Sequence, residues 1–108
     1  MTKNDILTAT PEWLNEYTCL EMGMVPGLPE TADWNPAENI RDAMELVEYL
    51  GDCLHLTQHG TQGVWEAWFC GQQPRSNSGH GKTVSLAITK AFLLAHLKQN
   101  WRGTDGTD

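Results

Sequence analysis

The last long apolar segment of the chain is the feature that most restricts its fold. From Thr83 to about Gln99 the residues show helical spacing, and apolar side chains occupy almost the whole circumference. A helix on a protein surface carries its apolar side chains on one side only, so a band this wide has to be buried on several sides. We expect this helix to be the central core helix of the domain, or to meet another protein with one face.

Two earlier helices are predicted from local signals. The first begins at Thr10-Pro11-Glu12, a cap followed by proline and an acid, and ends near Gly23. The second begins at Asn35 as cap, with Pro36 at the first helical position and Glu38 completing a capping box. Gly51 is expected to end it. Its apolar stripe, at helical spacing, consists of Ile40, Ala43, Met44, Val47 and Leu50.

Residues 53–58 and 64–70 read as two strands that are joined by a glycine-containing loop, which predicts an antiparallel hairpin. A hairpin alone is only marginally stable, so we expect a third short strand from residues 24–33 or a second copy of the chain. The fold class predicted is α+β, a small helix/antiparallel-sheet/helix sandwich with the order α-α-β-β-α.

Length and composition predict a single domain over residues 10–100, with a flexible segment at 1–9 and a disordered tail at 101–108. No run of about 18 apolar residues occurs, and the start has no apolar core of a signal peptide. The three cysteines are scattered and odd in number, which is more typical of a reducing cytoplasm than of a disulfide framework.

Charge is distributed very unevenly along the chain. Residues 1–52 hold eleven acidic against two basic side chains, whereas residues 53–108 hold three against five. A surface this negative argues against direct nucleic-acid binding, but it can attract a basic protein surface. The carboxylates of the second helix repel one another slightly, which hints at a functional surface. The alternative is that this charge only keeps a small protein soluble. The partner-binding residues predicted there are Glu38, Asp42, Glu45, Glu48 and Asp52.

The segment Ser76 to Thr83 ends in Gly81-Lys82-Thr83 between a predicted strand and helix, like a phosphate-binding loop. Serine stands where that motif needs its first glycine, and no later strand supplies an acid for the metal. We therefore keep nucleotide binding as an alternative, and favour a loop with Thr83 as a helix cap.

No catalytic or metal site is predicted. The spacing of the candidate zinc ligands fits no structural site, and no acid lies near Cys70 and His80 in sequence to complete a nucleophilic arrangement. We expect no metal and no other cofactor. The candidate ligands weighed are Cys53, His55, His59, Cys70 and His80.

The succession Trp34-Asn35-Pro36, Ala43 to Glu48, Trp65 to Trp68 and Thr83 to Ala91 resembles the phage ABA sandwich domain family of small bacteriophage and prophage proteins. The resemblance covers roughly residues 13–97. It implies a helix–sheet–helix sandwich in a phage-encoded cytoplasmic protein, with no established enzymatic role and no catalytic residues to carry over. The tail and the Gly79-His80-Gly81-Lys82 loop are not features of that family.

These patterns favour a non-enzymatic phage accessory protein. We expect it to bind a host protein with a basic surface, such as a nucleic-acid-binding or defence factor, and to bind neither nucleic acid nor membranes. The alternatives are a nucleotide-binding protein that uses Gly81, Lys82 and Thr83, and a self-associating structural module, for example a homodimer.

Overall fold

The computed structural model describes residues 3–29, 31–51, 53–59, 63–69 and 78–105. The expected α+β class is confirmed, and so is the order α-α-β-β-α of the predicted elements. One further helix and one further strand are present. In chain order the elements are α1 (Lys3–Thr8), α2 (Pro11–Glu21), α3 (Ile40–Leu50), β1 (Leu54–His59), β2 (Val64–Phe69), β3 (Gly79–Gly81) and α4 (Val84–Asp105).

The sheet is antiparallel with β2 in the middle, so β1 and β3 are its edges. The predicted hairpin is confirmed, and its register pairs Leu54 with Phe69 and Gln58 with Trp65. The third strand is β3, which pairs Gly79 with Ala67. The expectation of a strand within residues 24–33 is wrong for the described part of that segment, which forms turns.

Helix α4 is the central core helix, as its wide apolar band predicted. Strands β2 and β3 pack against it, and so do α1, α2 and α3. Ile88, Phe92 and Leu93 are fully buried. Strand β3 lies close to α4 because of Gly79, where a Cβ would stand only 2.5 Å from the Ala91 nitrogen. The glycines of the Gly-His-Gly segment thus serve packing of strand against helix.

Helix α3 begins later than predicted. Its cap is Asn39, whose side chain accepts hydrogen bonds from the backbone nitrogens of Arg41 and Asp42 at 2.9 and 3.3 Å. Asn35 instead opens a turn, in which its carbonyl accepts from the nitrogens of Glu38 and Asn39. The chain offers two asparagines four residues apart, and sequence spacing alone cannot choose between them.

The buried face of α3 coincides only in part with the predicted stripe. Ala43 is fully buried, and Val47 and Leu50 pack against the core as predicted. Ile40 and Met44, however, are 49% and 43% exposed, and Leu46 is buried instead. In α2, Leu14 is buried but Leu20 is half exposed. Each helix thus leaves part of its apolar surface in water, because contacts with the rest of the fold decide which residues are buried.

Residues at the two ends are more helical than expected. Lys3–Thr8 forms α1, and its Ile6 is fully buried. The Lys90 ammonium donates to the Leu7 carbonyl at 2.8 Å, which ties α1 to α4. Helix α4 continues to Asp105, into the segment predicted as a tail. Residues 1–2 and 106–108 lie outside the described residues.

Candidate functional site

The acidic residues predicted on α3 do not form one surface. Glu45 and Glu48 are exposed, but Asp42 is 9% exposed and accepts a hydrogen bond of 2.8 Å from the Asn35 nitrogen. Asp42 is therefore a structural residue that holds the turn before α3, and it is almost fully buried rather than part of an exposed acidic surface. Asp52 lies outside the described residues.

Glu38 lies before α3 and is connected to α2 through Asn15. The Asn15 amide donates to a Glu38 carboxylate oxygen at 2.8 Å, and its own oxygen accepts from the Ala37 nitrogen at 2.7 Å. Asn15 is nearly buried, so both of its polar groups are satisfied by the turn that carries Glu38. This connection brings Glu38 to the side of α2 that carries Glu12 and Glu16.

An open groove of about 370 Å³ lies between α2 and residues 26–38. We call it the acidic groove, because the carboxylates of Glu12, Glu16 and Glu38 all line it and are exposed. Trp34 contributes a partly exposed ring to the same groove. The described residues that line it include no lysine or arginine.

Cys19 lies beneath the groove and is buried and free. Burial raises the pKa of its thiol, and the nearby Glu16 carboxylate raises it further. Because a thiolate is the reactive form of cysteine, these surroundings keep Cys19 protonated and unreactive at neutral pH.

The outward side of α3 is a second exposed surface. Ile40, Met44 and Glu48 follow one another at intervals of four residues, so they form one ridge along the helix. Glu45 lies beside this ridge and is exposed. The outward side of α3 thus exposes more apolar surface than the sequence suggested.

Two carboxylate-centred clusters were not found from the sequence. The Glu21 carboxylate lies 2.9 Å from His96 of α4 and accepts a hydrogen bond from Tyr17. Burial raises the pKa of Tyr17, and Glu21 raises it further. The cluster connects α2 to α4. Glu21 and His96 are 75 residues apart along the chain, so no local sequence pattern could have suggested that they pair.

The second cluster lies on the sheet. The Ser78 hydroxyl donates to a buried Glu66 carboxylate oxygen at 2.5 Å, and His80 lies 3.5 Å from the same oxygen. Strand pairing places Glu66 opposite His80. Strand β2 thus supplies an acid beside His80, although none lies near His80 along the chain. Ser78 and His80 both contact the Glu66 carboxylate. A nucleophilic arrangement would instead need the histidine to accept the proton of the serine hydroxyl.

The phosphate-binding alternative falls on residues that have structural roles. Gly81 belongs to strand β3, and the Thr83 hydroxyl accepts from the Leu86 nitrogen at 3.2 Å, as a cap of α4. Lys82 is exposed between them. This geometry is that of a strand followed by a capped helix, and it does not favour nucleotide binding over the other functions.

The candidate zinc ligands are also dispersed. His55 stacks on Trp68 with ring centres 5.1 Å apart, and Cys53 is disulfide-bonded, contrary to the reduced cysteines that we expected. Cys70 lies outside the described residues. Within the described parts of the chain, no three histidine, cysteine or acidic side chains gather closely enough to hold a metal ion.

No helix in the described ranges is long and apolar enough to cross a lipid bilayer. Neither the curated proteins nor the solved structures include a significant match to this chain. The model of the phage ABA sandwich domain family, however, matches residues 12–93, a range that runs from the start of α2 into the middle of α4. The match covers most of the chain, and the protein therefore belongs to the phage ABA sandwich domain family.

Proposed function

We propose that this phage-family protein is a non-enzymatic binding protein that attaches to a basic host protein through the acidic groove. The observation that carries the proposal is the gathering of Glu12, Glu16 and Glu38 around one open groove whose described lining has no basic residue. The site of action we propose is the cytoplasm of the bacterial host, a reducing compartment in which the Cys53 disulfide would be open. Membership of a phage family supports the setting, and the charge supports the kind of partner.

The groove offers a lysine or arginine of the partner two kinds of contact. Its carboxylates supply exposed negative charge, and the ring of Trp34 can accept a cation over its face. Each exposed charge pair contributes only about 0.2–1 kcal/mol, so several pairs are needed for useful affinity. The acidic charge also raises the rate of association, because it attracts a basic surface before the two proteins touch.

The geometry favours binding over catalysis. Acid–base catalysis needs its groups in a cleft that shields them from water, whereas the groove is open and its three carboxylates are exposed. Cys19 beneath them is protonated at neutral pH, and Ser78 is buried against Glu66. These observations support a docking surface at the groove.

A matched pair of charge-removing variants tests the proposal. Glu12→Gln with Glu16→Gln removes two charges from the acidic groove, and Glu45→Gln with Glu48→Gln removes two from the outward side of α3. Asp42 is left unchanged because it holds the turn. Proteins recovered from host lysate by the wild type would be purified, and their affinities for each variant measured by calorimetry at low and high salt.

We expect the groove variant to bind such a partner about tenfold more weakly, with a smaller salt dependence, and the α3 variant to bind nearly normally. Circular dichroism of both variants checks that the helices are intact. Equal affinity of the groove variant and the wild type for every recovered partner would overturn the proposal. Selective loss in the α3 variant would move the binding surface to α3.

A further inference from the structure

The two edges of the sheet are protected very differently. Strand β3 is only three residues long and lies against α4, where Gly79 is buried. Strand β1 is six residues long, and His55, Leu56, Thr57 and Gln58 are all exposed. In the described part of the sheet, the outer edge of β1 pairs with no other strand.

Natural proteins usually block such an edge with lysine, proline, a bulge or a short strand. The sequence Leu54–His59 reads LHLTQH, and it contains neither lysine nor proline. Its six residues pair with β2 without interruption, so the strand carries no bulge. An open, regular edge of this length offers a row of outward backbone donors and acceptors to another strand.

We infer that β1 is a self-association edge, at which β1 of a second copy adds in antiparallel orientation to give a continuous six-stranded sheet. Charge favours a second copy at this edge. The chain has a net charge of −7, so two copies repel each other overall, and they do so through the acidic residues 1–52. The segment from Leu54 to Gln58 contains no acidic or basic side chain other than His55, so two copies can approach there with little repulsion.

Strand geometry restricts how the two copies meet. A two-fold axis perpendicular to the sheet relates antiparallel copies, and paired residues must then point to the same face. The register centred on Leu56 satisfies this rule and pairs Leu56 with the partner's Leu56. Leu56 is opposite Ala67 on the α4 side of the sheet and is 39% exposed, so the pairing covers an apolar side chain that the monomer leaves partly in water.

The dimer is expected to be weak. One added strand pair of five or six residues buries less area than the roughly 1,200–2,000 Å² of a stable interface. Association in the micromolar range or weaker is therefore expected. The acidic groove lies on α2 and residues 26–38, so this inference does not depend on the proposed function.

Sedimentation velocity of the full chain over a wide range of concentrations tests the inference. We expect a monomer–dimer equilibrium that Leu56→Lys weakens at least about tenfold, because two lysines would face each other across the axis. Leu20→Lys is the matched control. Leu20 is also exposed, at 52%, and lies on α2, so the same change of charge there should leave the equilibrium close to that of the wild type.

Cysteine cross-linking tests the register. Leu56→Cys is expected to form a disulfide-linked dimer under mild oxidation. Thr57→Cys is expected to remain unlinked, because a disulfide needs Cα atoms closer than about 7 Å and two residues of offset exceed that. A chain that stays monomeric at every concentration, or a dimer that Leu56→Lys does not weaken, would overturn the inference. Cross-linking of Thr57→Cys alone would overturn the register.

Discussion

Gly79 shows how a single residue positions a strand on this fold. A Cβ at this position would stand 2.5 Å from the Ala91 nitrogen and 2.8 Å from the Lys90 Cβ. At Gly81 the nearest atoms belong instead to the side chain of Leu86, at 2.8 Å. Both glycines are required for close approach, but only the first faces backbone atoms, which cannot move aside.

Gly79→Ala is accordingly expected to lower the free energy of unfolding by about 3 kcal/mol, at the upper end of overpacking effects. Gly81→Ala should cost less, about 2 kcal/mol, because the Cγ and Cδ2 atoms of Leu86 can rotate away, and only its Cβ, at 2.8 Å, has to be relieved by a backbone shift. Urea unfolding followed by tryptophan fluorescence measures both values. An equal effect of the two substitutions would contradict the assigned role of the α4 backbone.

At the scale of elements, both α2 and α3 turn a partly polar side to the core. Helix α3 buries Asp42 with Ala43 and Leu46, and its apolar Ile40 and Met44 lie outside. Helix α2 similarly buries Asn15 and Thr18. The buried polar groups are hydrogen-bonded, Asp42 and Asn15 to the turn before α3 and Thr18 to the Leu14 carbonyl, so burial leaves them satisfied.

Two alanine substitutions in α3 distinguish the observed face from the predicted one. Leu46→Ala is expected to destabilise the protein by about 2–4 kcal/mol, because it removes a fully buried side chain. Met44→Ala should change stability by less than about 0.5 kcal/mol, since Met44 is 43% exposed. Chemical denaturation measures the difference, and a larger loss for Met44→Ala would show that the helix faces the other way.

Cys53 directly precedes β1 and is disulfide-bonded. Reduction is expected to lower the free energy of unfolding by about 2–4 kcal/mol, because the cross-link restricts the unfolded chain. Urea unfolding with and without a reductant measures this change. A Cys19→Ser variant is the control and should respond to reductant as the wild type does, since Cys19 is free. If reductant has no effect, the bond does not form in solution.

At the scale of the whole molecule, contacts far apart in the chain join its beginning to its end. The Lys90 ammonium in α4 reaches the Leu7 carbonyl of α1, 83 residues away. Lys90 is only 9% exposed, and burial lowers the pKa of its ammonium below the ordinary value of 10.5. The native state therefore holds this proton less tightly than the unfolded chain does.

Stability should consequently rise with pH as Lys90 loses its proton, between its lowered pKa and 10.5, because the unfolded state binds more protons there. Lys90→Met should lack this contribution. The measurement is the difference in unfolding free energy between wild type and variant from neutral to alkaline pH, which removes the titration of groups such as Tyr17 and Cys19. A difference that is constant with pH would contradict a native-state pKa shift.

What the sequence determined by itself are the features that depend on neighbours along the chain. Thr10 and Pro11 begin α2 as predicted, because a cap and its first helical residues are adjacent. The hairpin follows from two β-prone segments and a short glycine loop, and Gly51 ends α3 in the left-handed conformation at a φ of 71°. The apolar band of α4 likewise indicated the central position of this helix, because the band is formed by residues of one continuous segment.

The tertiary structure decided which residues from distant parts of the chain contact one another. It selected Asn39 rather than Asn35 as the cap of α3, and it buried Asp42. The segment Gly79–Gly81 has no strand propensity of its own, and it forms β3 because it pairs with the edge of β2. It also joined Glu38 to Glu12 and Glu16 in one groove through Asn15. Such contacts depend on how distant segments pack around α4, and this packing cannot be predicted from patterns of residues that are adjacent in sequence.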